Sequence, residues 1–339
     1  MQDFNLTELD LQIIHAVQLD PRIPWRGLAS VLDVDQATLA RRWARIEHEG
    51  YAWISAIPGP RMGSLTNSAL VEFDCEPGRA LEVADYLSRE SQVTSIDLTA
   101  GGRDFIATLL GADDVAFADY LLDLTSRVPG LRDVRSHPVT RAFKLGSDWS
   151  VQTLSPEQQR RLPAPRGARP ASAKHLDDHL VERLIAALSV APRASYADLG
   201  ERLGVSAQRA SDILARGREL ELITLRADVA ATVSGWPVVA WFFIQVPAQT
   251  LLRHARLLAE LPSLQFAAGS MGASNLIVAA GARAKHELLA LEADLEQRLP
   301  GARIIDRSLV LRVHKHLGRI MRPDGRGTAT QIPLGLFAP

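Results

Sequence analysis

Apolar residues fall at helical spacing near the start of the chain, where Leu9, Ile13, Ile14 and Val17 share one stripe. Thr7 stands ahead of them as an N-cap, Glu8 and Asp10 lie in the first turn, and Pro21 and Pro24 end the run. A second short helix is predicted from Trp25 to Leu32, then a turn at Asp33-Val34-Asp35. A third helix runs from Gln36 to Glu49, capped by Asp35 and ended by Gly50. Three helices with a tight turn between the last two have helix-turn-helix spacing. Further on the period changes. Ala69 to Phe73 alternates as a strand, and Ala80, Val83, Ala84 and Leu87 form a helical stripe. Val93 to Leu98 and Phe105 to Leu110 are strands meeting at Gly101-Gly102, Val115 to Val128 is a helix, and Leu131 to Leu145 is a long final strand. This βαββαβ order is the ferredoxin-like one. Pro138 cannot donate to a ladder, so the last strand is expected to bulge there or to lie at an edge.

The same pattern returns 171 residues later without a gap. Pro21-Arg22 falls on Pro192-Arg193, Leu28 on Leu199, Arg45 on Arg216, Gly101 on Gly272, Pro129-Gly130 on Pro300-Gly301, and Lys144 on Lys315. The reading is an α+β chain of two repeats, each a helix-turn-helix followed by a βαββαβ domain. The divisions are a first helix-turn-helix at 1–60, a first βαββαβ domain at 61–150 and a Pro/Arg-rich exposed linker at 151–175. A second helix-turn-helix follows at 176–230, a second βαββαβ domain at 231–320, and a tail without firm structure at 321–339.

Composition narrows the classes. With 47% hydrophobic and 23% charged residues the chain is globular, and 38 Lys and Arg against 39 Asp and Glu leave no overall field to attract nucleic acid. Nucleic-acid binding must therefore come from a local patch. The single cysteine, Cys75, excludes an intrachain disulfide and a cysteine-rich metal site. The start lacks the features of a signal peptide, and the most apolar run, Trp236 to Pro247, is too short to span a bilayer. The expected address is cytoplasmic.

On the third helix Leu39, Trp43 and Ile46 share one face while Arg41, Arg42 and Arg45 occupy others. A helix-turn-helix frame puts such a helix in a major groove, with Thr38 and Arg41 near the groove entrance, Arg42 and Arg45 on backbone or guanine edges, and Gln36 also at the DNA; a solvated amphipathic helix is the alternative. The second copy has Arg209, Arg216 and Arg218, but also Asp212, Glu219 and a helix-weakening Gly217. The stretch from Leu6 to Tyr51, with Arg42, Arg45-Ile46-Glu47 and Gly50, resembles the winged helix-turn-helix of the Lrp/AsnC (feast/famine) transcription regulators. Residues 98–110 and 128–144 resemble that family's regulation-of-amino-acid-metabolism domain. The resemblance implies double-stranded DNA as a partner, homo-oligomers, and an amino-acid-like effector bound near the turn between the middle strands. That effector site would use Gly101 and Asp104, with Gly272 and Asn275 in the second copy.

It also implies no cofactor and no enzymatic role, with one alternative. Siroheme decarboxylases are similar in their two-part fold and also occur as fused pairs, but their His-Asn-Tyr type signature is missing. An interaction protein without DNA binding is a third reading. His314 and His316 alternate on the last strand as metal ligands do, yet no cysteine or carboxylate joins them at ligand spacing. His175 and His179 lie one helical turn apart at the start of a helix. Val71 and Phe73 are expected on an open sheet face, with Trp241 and Phe243 on the corresponding face of the second copy, and these faces are expected to pair within one chain.

Overall fold

The computed structural model describes residues 6–62, 67–111, 113–146, 149–164 and 176–335. In chain order the elements begin with α1 (Glu8–Leu19), α2 (Trp25–Leu32), α3 (Gln36–His48) and β1 (Ala52–Pro58). Next come β2 (Ser68–Cys75), α4 (Ala80–Ser88), β3 (Val93–Ala100), β4 (Phe105–Leu110), α5 (Asp114–Arg127) and β5 (Leu131–Lys144). After α6 (Pro156–Arg161) the order repeats as α7 (Asp178–Val190), α8 (Tyr196–Leu203), α9 (Ala207–Glu219) and β6 (Ile223–Val229). Then follow α10 (Ala231–Ser234), β7 (Val238–Gln245), α11 (Ala248–His254), α12 (Arg256–Ala259), β8 (Leu264–Ser270), β9 (Leu276–Ala282) and α13 (Leu288–Arg298). The chain ends with β10 (Arg303–His316), β11 (Arg319–Met321) and β12 (Gly327–Gln331). No helix among the described residues is long and apolar enough to cross a membrane.

The elements form two compact units. One comprises Met1–Met62, Ser150–Ala230 and Arg326–Pro333; the other comprises Gly63–Trp149, Ala231–Gly325 and Leu334–Pro339.

The first unit holds both helix-turn-helices. α1 starts where Thr7 and Asp10 cap each other's backbone N–H, and Ile13, Ile14, Val17, Leu28, Leu39, Trp43 and Ile46 are buried between α1, α2 and α3. The two strands that follow the third helices pair antiparallel, Ala52 opposite Val229 through Pro58 opposite Ile223. Each of these strands packs on the first helix of the other helix-turn-helix, α1 on β6 and α7 on β1. Ala56 of β1 is thereby part of the core formed by Leu184, Leu188, Leu199, Leu203 and Ile213. Gly50 ends α3 at φ +76°, and a Cβ there would meet the Gly327 carbonyl at 2.1 Å. The tail, expected to lack structure, supplies this neighbour, because Gly327 N donates to Gly50 O at 2.9 Å and β12 starts there. The linker also departs from expectation. Residues 150–164 are bound to the first helix-turn-helix and include α6, while residues 165–175 lie outside the described residues.

The second unit is built from two ferredoxin-like sheets, β5-β2-β4-β3 and β10-β7-β9-β8. β5 pairs with β8 and β10 with β3, so the eight strands close into a ring, which removes the open edges. Pro138 marks the point where β5 changes partner. Its residues through Pro138 pair with β2, and those from Val139 pair with β8. The missing N–H therefore falls at the handover.

Outside the ring, α4 and α5 cover Val71, Phe73, Phe105 and Leu109, and α13 with α12 covers Phe242, Ile244 and Val278. Inside it Leu70, Ile106, Trp241, Phe243, Ile277 and Ala279 pack together. Trp241 and Phe243 thus face inward as expected. Val71 and Phe73 do not, because the period of two that brings Leu70 inward turns them under the helices. The paired lysines also find their role. Lys315 Nζ donates to Glu90 O at 2.8 Å past the end of α4, and Lys144 Nζ donates to Ala259 O and Leu261 O at 3.0 and 2.6 Å past the end of α12. Each lysine thus ties its strand to the helix end of the other sheet, although burial lowers the Lys315 pKa to about 7.

Candidate nucleic-acid interface and sheet junctions

The Asp35 carboxylate accepts from Ala37 N and Thr38 N at 2.9 and 3.2 Å, which fixes the start of α3. Gln36, Arg41 and Arg45 are exposed and Thr38 is half-buried. Arg42, expected at the DNA, is half-buried and bonded within the helix-turn-helix. Its guanidinium donates to the Asp10 carboxylate at 2.9 Å and to Thr7 Oγ1 at 3.3 Å, tying α3 to the start of α1. Burial pushes the fully buried Asp10 upward, but the bonds from Thr7 and Arg42 outweigh it and hold the carboxyl below its ordinary value. Arg42 is therefore a brace beneath the exposed face.

α9 is covered where α3 is open. Ser211, Asp212 and Ala215, at the register positions of Ala40, Arg41 and Ala44, are 3, 7 and 8% exposed. Gln208 Nε2 donates to Asp212 Oδ1 at 3.0 Å, and Arg216 pairs with Glu219 at 3.2 Å. Arg209 is half-buried, and Arg218 lies 3.4 Å from Asp20. Gly217 has a packing reason, because a Cβ there would come within 2.8 Å of Ile223 Cδ1.

The expected effector residues are also structurally engaged. Asp104 Oδ2 accepts from Cys75 N at 2.7 Å, so its carboxylate clamps the end of β2 to the turn. Asn275 makes the equivalent clamp with both of its amide atoms, to Val246 N at 2.8 Å and Val246 O at 2.7 Å. The change from acid to amide between the copies therefore preserves a backbone bond. Gly101 and Gly272 do sit at the junctions between the sheets, at φ +125° and +144°. A Cβ on Gly101 would lie 3.2 Å from Ser308 Oγ, and one on Gly272 would lie 3.4 Å from His137 Nδ1.

The junctions differ through groups that sequence reasoning missed. Arg103, 7% exposed, donates to Ser308 Oγ at 2.8 Å, pairs with Glu72 at 2.5 Å and with Asp306, and stacks over Phe243 at 4.3 Å. Glu72 also meets His137 Nε2 at 2.5 Å and Arg135 at 3.4 Å. Desolvation pushes the Glu72 carboxyl up, but His137, Arg103 and Arg135 outweigh it and hold it below its ordinary value. His137 Nδ1 is buried without a hydrogen-bond partner among the described residues. The signal was present in the repeat. Glu72, Arg103, Arg135 and His137 stand opposite Phe243, Ser274, Asp306 and Ser308, a run of charge differences inside otherwise matching strands.

His314 Nε2 lies 3.0 Å from Asp85, and burial lowers its pKa. A bulge between Val313 and Lys315 disturbs the alternation that would have aligned it with His316. His179 faces Glu182 at 3.4 Å, and His175 lies outside the described residues.

These features define a class, an α+β protein that joins helix-turn-helix elements to ferredoxin-like sheets. Residues 6–47 match the AsnC-type helix-turn-helix domain and residues 68–149 match the Lrp/AsnC ligand binding domain. Those two segments of the chain are thus similar to the two domains of Lrp/AsnC regulators. It is 26% identical over 153 residues to the Bkd operon transcriptional regulator of Pseudomonas aeruginosa, covering 42% of this chain and 96% of that protein. It is 24% identical over 142 residues to an uncharacterised HTH-type transcriptional regulator of Pyrococcus furiosus, covering 42% of this chain and 96% of that one. Across nearly its whole length the fold is similar to that of the siroheme decarboxylase NirDL. The TM-score is 0.57 at 16% identity, covering 92% of this chain and 93% of that one.

Proposed function

We propose that this protein is a DNA-binding transcription regulator, arisen by tandem duplication, in which one chain supplies the paired sheets of two family units. The observation that carries the reading is the contrast between the third helices. α3 exposes Gln36, Arg41 and Arg45 on a capped, braced helix, while in α9 Asp212, at the position of Arg41, is buried and Arg216, at the position of Arg45, is half-buried and paired with Glu219. DNA reading is assigned to α3, with Thr38 beside those three residues, and α9 with Arg209 and Arg216 serves as its structural partner. A palindromic operator then requires two chains, so the protein acts as a homodimer or larger assembly in the cytoplasm.

An amino-acid-like effector is assigned to the Gly272 junction. Arg103 spans the Gly101 junction, whereas the other presents the unbonded His137 Nδ1. Selection of genomic fragments by the full-length protein, with mobility shifts on the enriched site, tests DNA binding. Thermal-shift screening of amino acids on wild type and His137→Ala tests the effector. The whole-chain likeness to NirDL favours one other reading, a tetrapyrrole-binding enzyme. A Soret band in the purified protein, or after incubation with siroheme, would favour it over the regulator.

A further inference from the structure

The segment between the first sheet and the second helix-turn-helix is tied down along the first helix-turn-helix. Val151 N donates to Gln18 Oε1, Thr153 Oγ1 to Leu11 O and Leu154 N to His15 Nδ1, each at 2.9 Å, and Leu154 is 3% exposed. Burial lowers the His15 pKa, which keeps the ring in the neutral form that can accept this bond. Ser155 and Gln158 form a capping box with Pro156 in the first turn, so α6 starts at a fixed place. Its far end is fixed too. Arg161 donates to Ser30 O at 2.8 Å, and Pro163 packs on Gly27, where a Cβ would come within 2.7 Å of the ring.

This docking sets a basic edge beside α2. Arg160 and Arg161 are exposed, and Arg26 is exposed in the first turn of α2. Ser30, which Arg161 holds, is five residues ahead of Asp35, the cap of α3. The edge therefore continues toward Gln36 and Thr38. Glu157 is the acid on α6, and among the described residues Arg160 has no ion pair or hydrogen bond. Guanidinium groups suit phosphate oxygens, which they can bond in a bidentate manner.

We propose that Arg160 and Arg161 of α6 form a phosphate-binding arm of the first helix-turn-helix, gripping the DNA backbone beside the groove entered by α3. The proposal rests on α3 being the reading helix. Phosphate contacts add affinity and orientation without reading sequence.

The test is fluorescence anisotropy on a selected DNA site across a NaCl series, using full-length wild type, Arg160→Gln and Arg160→Gln/Arg161→Gln. Each lost phosphate contact should reduce the slope of log K against log salt by about 0.9, so the slope falls by about 1 and about 2. Selected and scrambled sites should weaken by the same factor. Arg160→Gln should melt at the wild-type temperature, which separates the effect from undocking of α6. Wild-type binding with an unchanged slope in both variants overturns the arm and leaves the α3 reading standing. Loss of discrimination between sites also overturns it, by making Arg160 a base reader, and absence of wild-type binding overturns both proposals.

Discussion

Arg22 and Arg193 make the same pair of bonds in opposite directions. Arg22 donates to Pro192 O and Ala194 O at 2.6 and 2.7 Å and lies over Tyr196, while Arg193 donates to Pro21 O and Ile23 O at 2.7 Å each and lies over Trp25. Each arginine thus closes the loop after the first helix of the other helix-turn-helix. Burial and the nearby Arg22 lower the Arg193 pKa to about 10, so it stays charged at neutral pH. Hydrogen bonds to a charged group contribute about 1.5–3 kcal/mol each, so Arg193→Ala should cost about 3 kcal/mol or more in urea unfolding. Arg22→Ala/Arg193→Ala should cost less than the sum of the single changes, because both act on one contact. Additive costs would show that the two arginines do not act together.

The Asp104 and Asn275 clamps make a natural comparison between amide and acid. Asp104→Asn should keep the bond from Cys75 N and change stability by less than about 1 kcal/mol. Asp104→Ala leaves that N–H without its acceptor and should cost about 1–3 kcal/mol. An effector response should survive in Asp104→Asn, as measured by thermal shift; its loss there would return the carboxylate to the binding site.

Arg103 is placed to hold unlike sheets together. By the 171-residue register, two copies of the first sheet would set Arg135 where Asp306 stands, and Arg103 would meet a like charge. Arg103→Met strips Glu72, 5% exposed, of its closest cation, and breaking such a buried pair costs about 3–5 kcal/mol. Asp306→Asn acts on a half-exposed partner and should cost no more than about 1 kcal/mol. Urea unfolding of the two variants tests this order, and equal costs would contradict it.

Asp97 carries a pH signature. Its Oδ2 accepts from Trp241 Nε1 at 2.9 Å inside the ring, and desolvation raises its pKa to about 6 against the bond from Trp241 and the charge of His316. A carboxyl raised above its unfolded value near 3.9 favours folding below that value and loses the contribution as pH rises through 6. Asp97→Asn keeps an acceptor for Trp241. It should match wild type near pH 4 and exceed its stability above pH 6 by an amount on the order of 2 kcal/mol. Unfolding curves at pH 4, 5, 6 and 7 measure this, and a constant difference would exclude titration of Asp97.

What was legible in the sequence followed from local rules. The Thr7 and Asp35 caps, the proline stops and the alternation of Phe105 to Leu110 placed elements to within a few residues, and the 171-residue shift paired Lys144 with Lys315. What stayed hidden depended on partners distant in sequence. Arg42 reads as a DNA contact until Asp10, 32 residues earlier, is seen beneath it, and Asp104 reads as a free turn carboxylate until Cys75 N is seen to hold it. Polar composition suggested an open chain after residue 150, yet Leu154 is a single buried anchor, too little to make a period. Val71 and Phe73 were assigned to the wrong face because both faces of β2 are buried, one under the helices and one inside the ring, so alternation alone could not say which face the helices cover.

The most direct test of the central claim compares the two third helices on one selected DNA site. Arg41→Ala/Arg45→Ala in α3 and Arg209→Ala/Arg216→Ala in α9 are measured by mobility-shift titration, with melting curves to confirm folding. A good base contact contributes about 1–3 kcal/mol, so the α3 variant should bind at least about tenfold more weakly and lose preference for the selected site. The α9 variant should bind as wild type does. Unchanged binding by the α3 variant, or an equal loss in the α9 variant, would contradict the account.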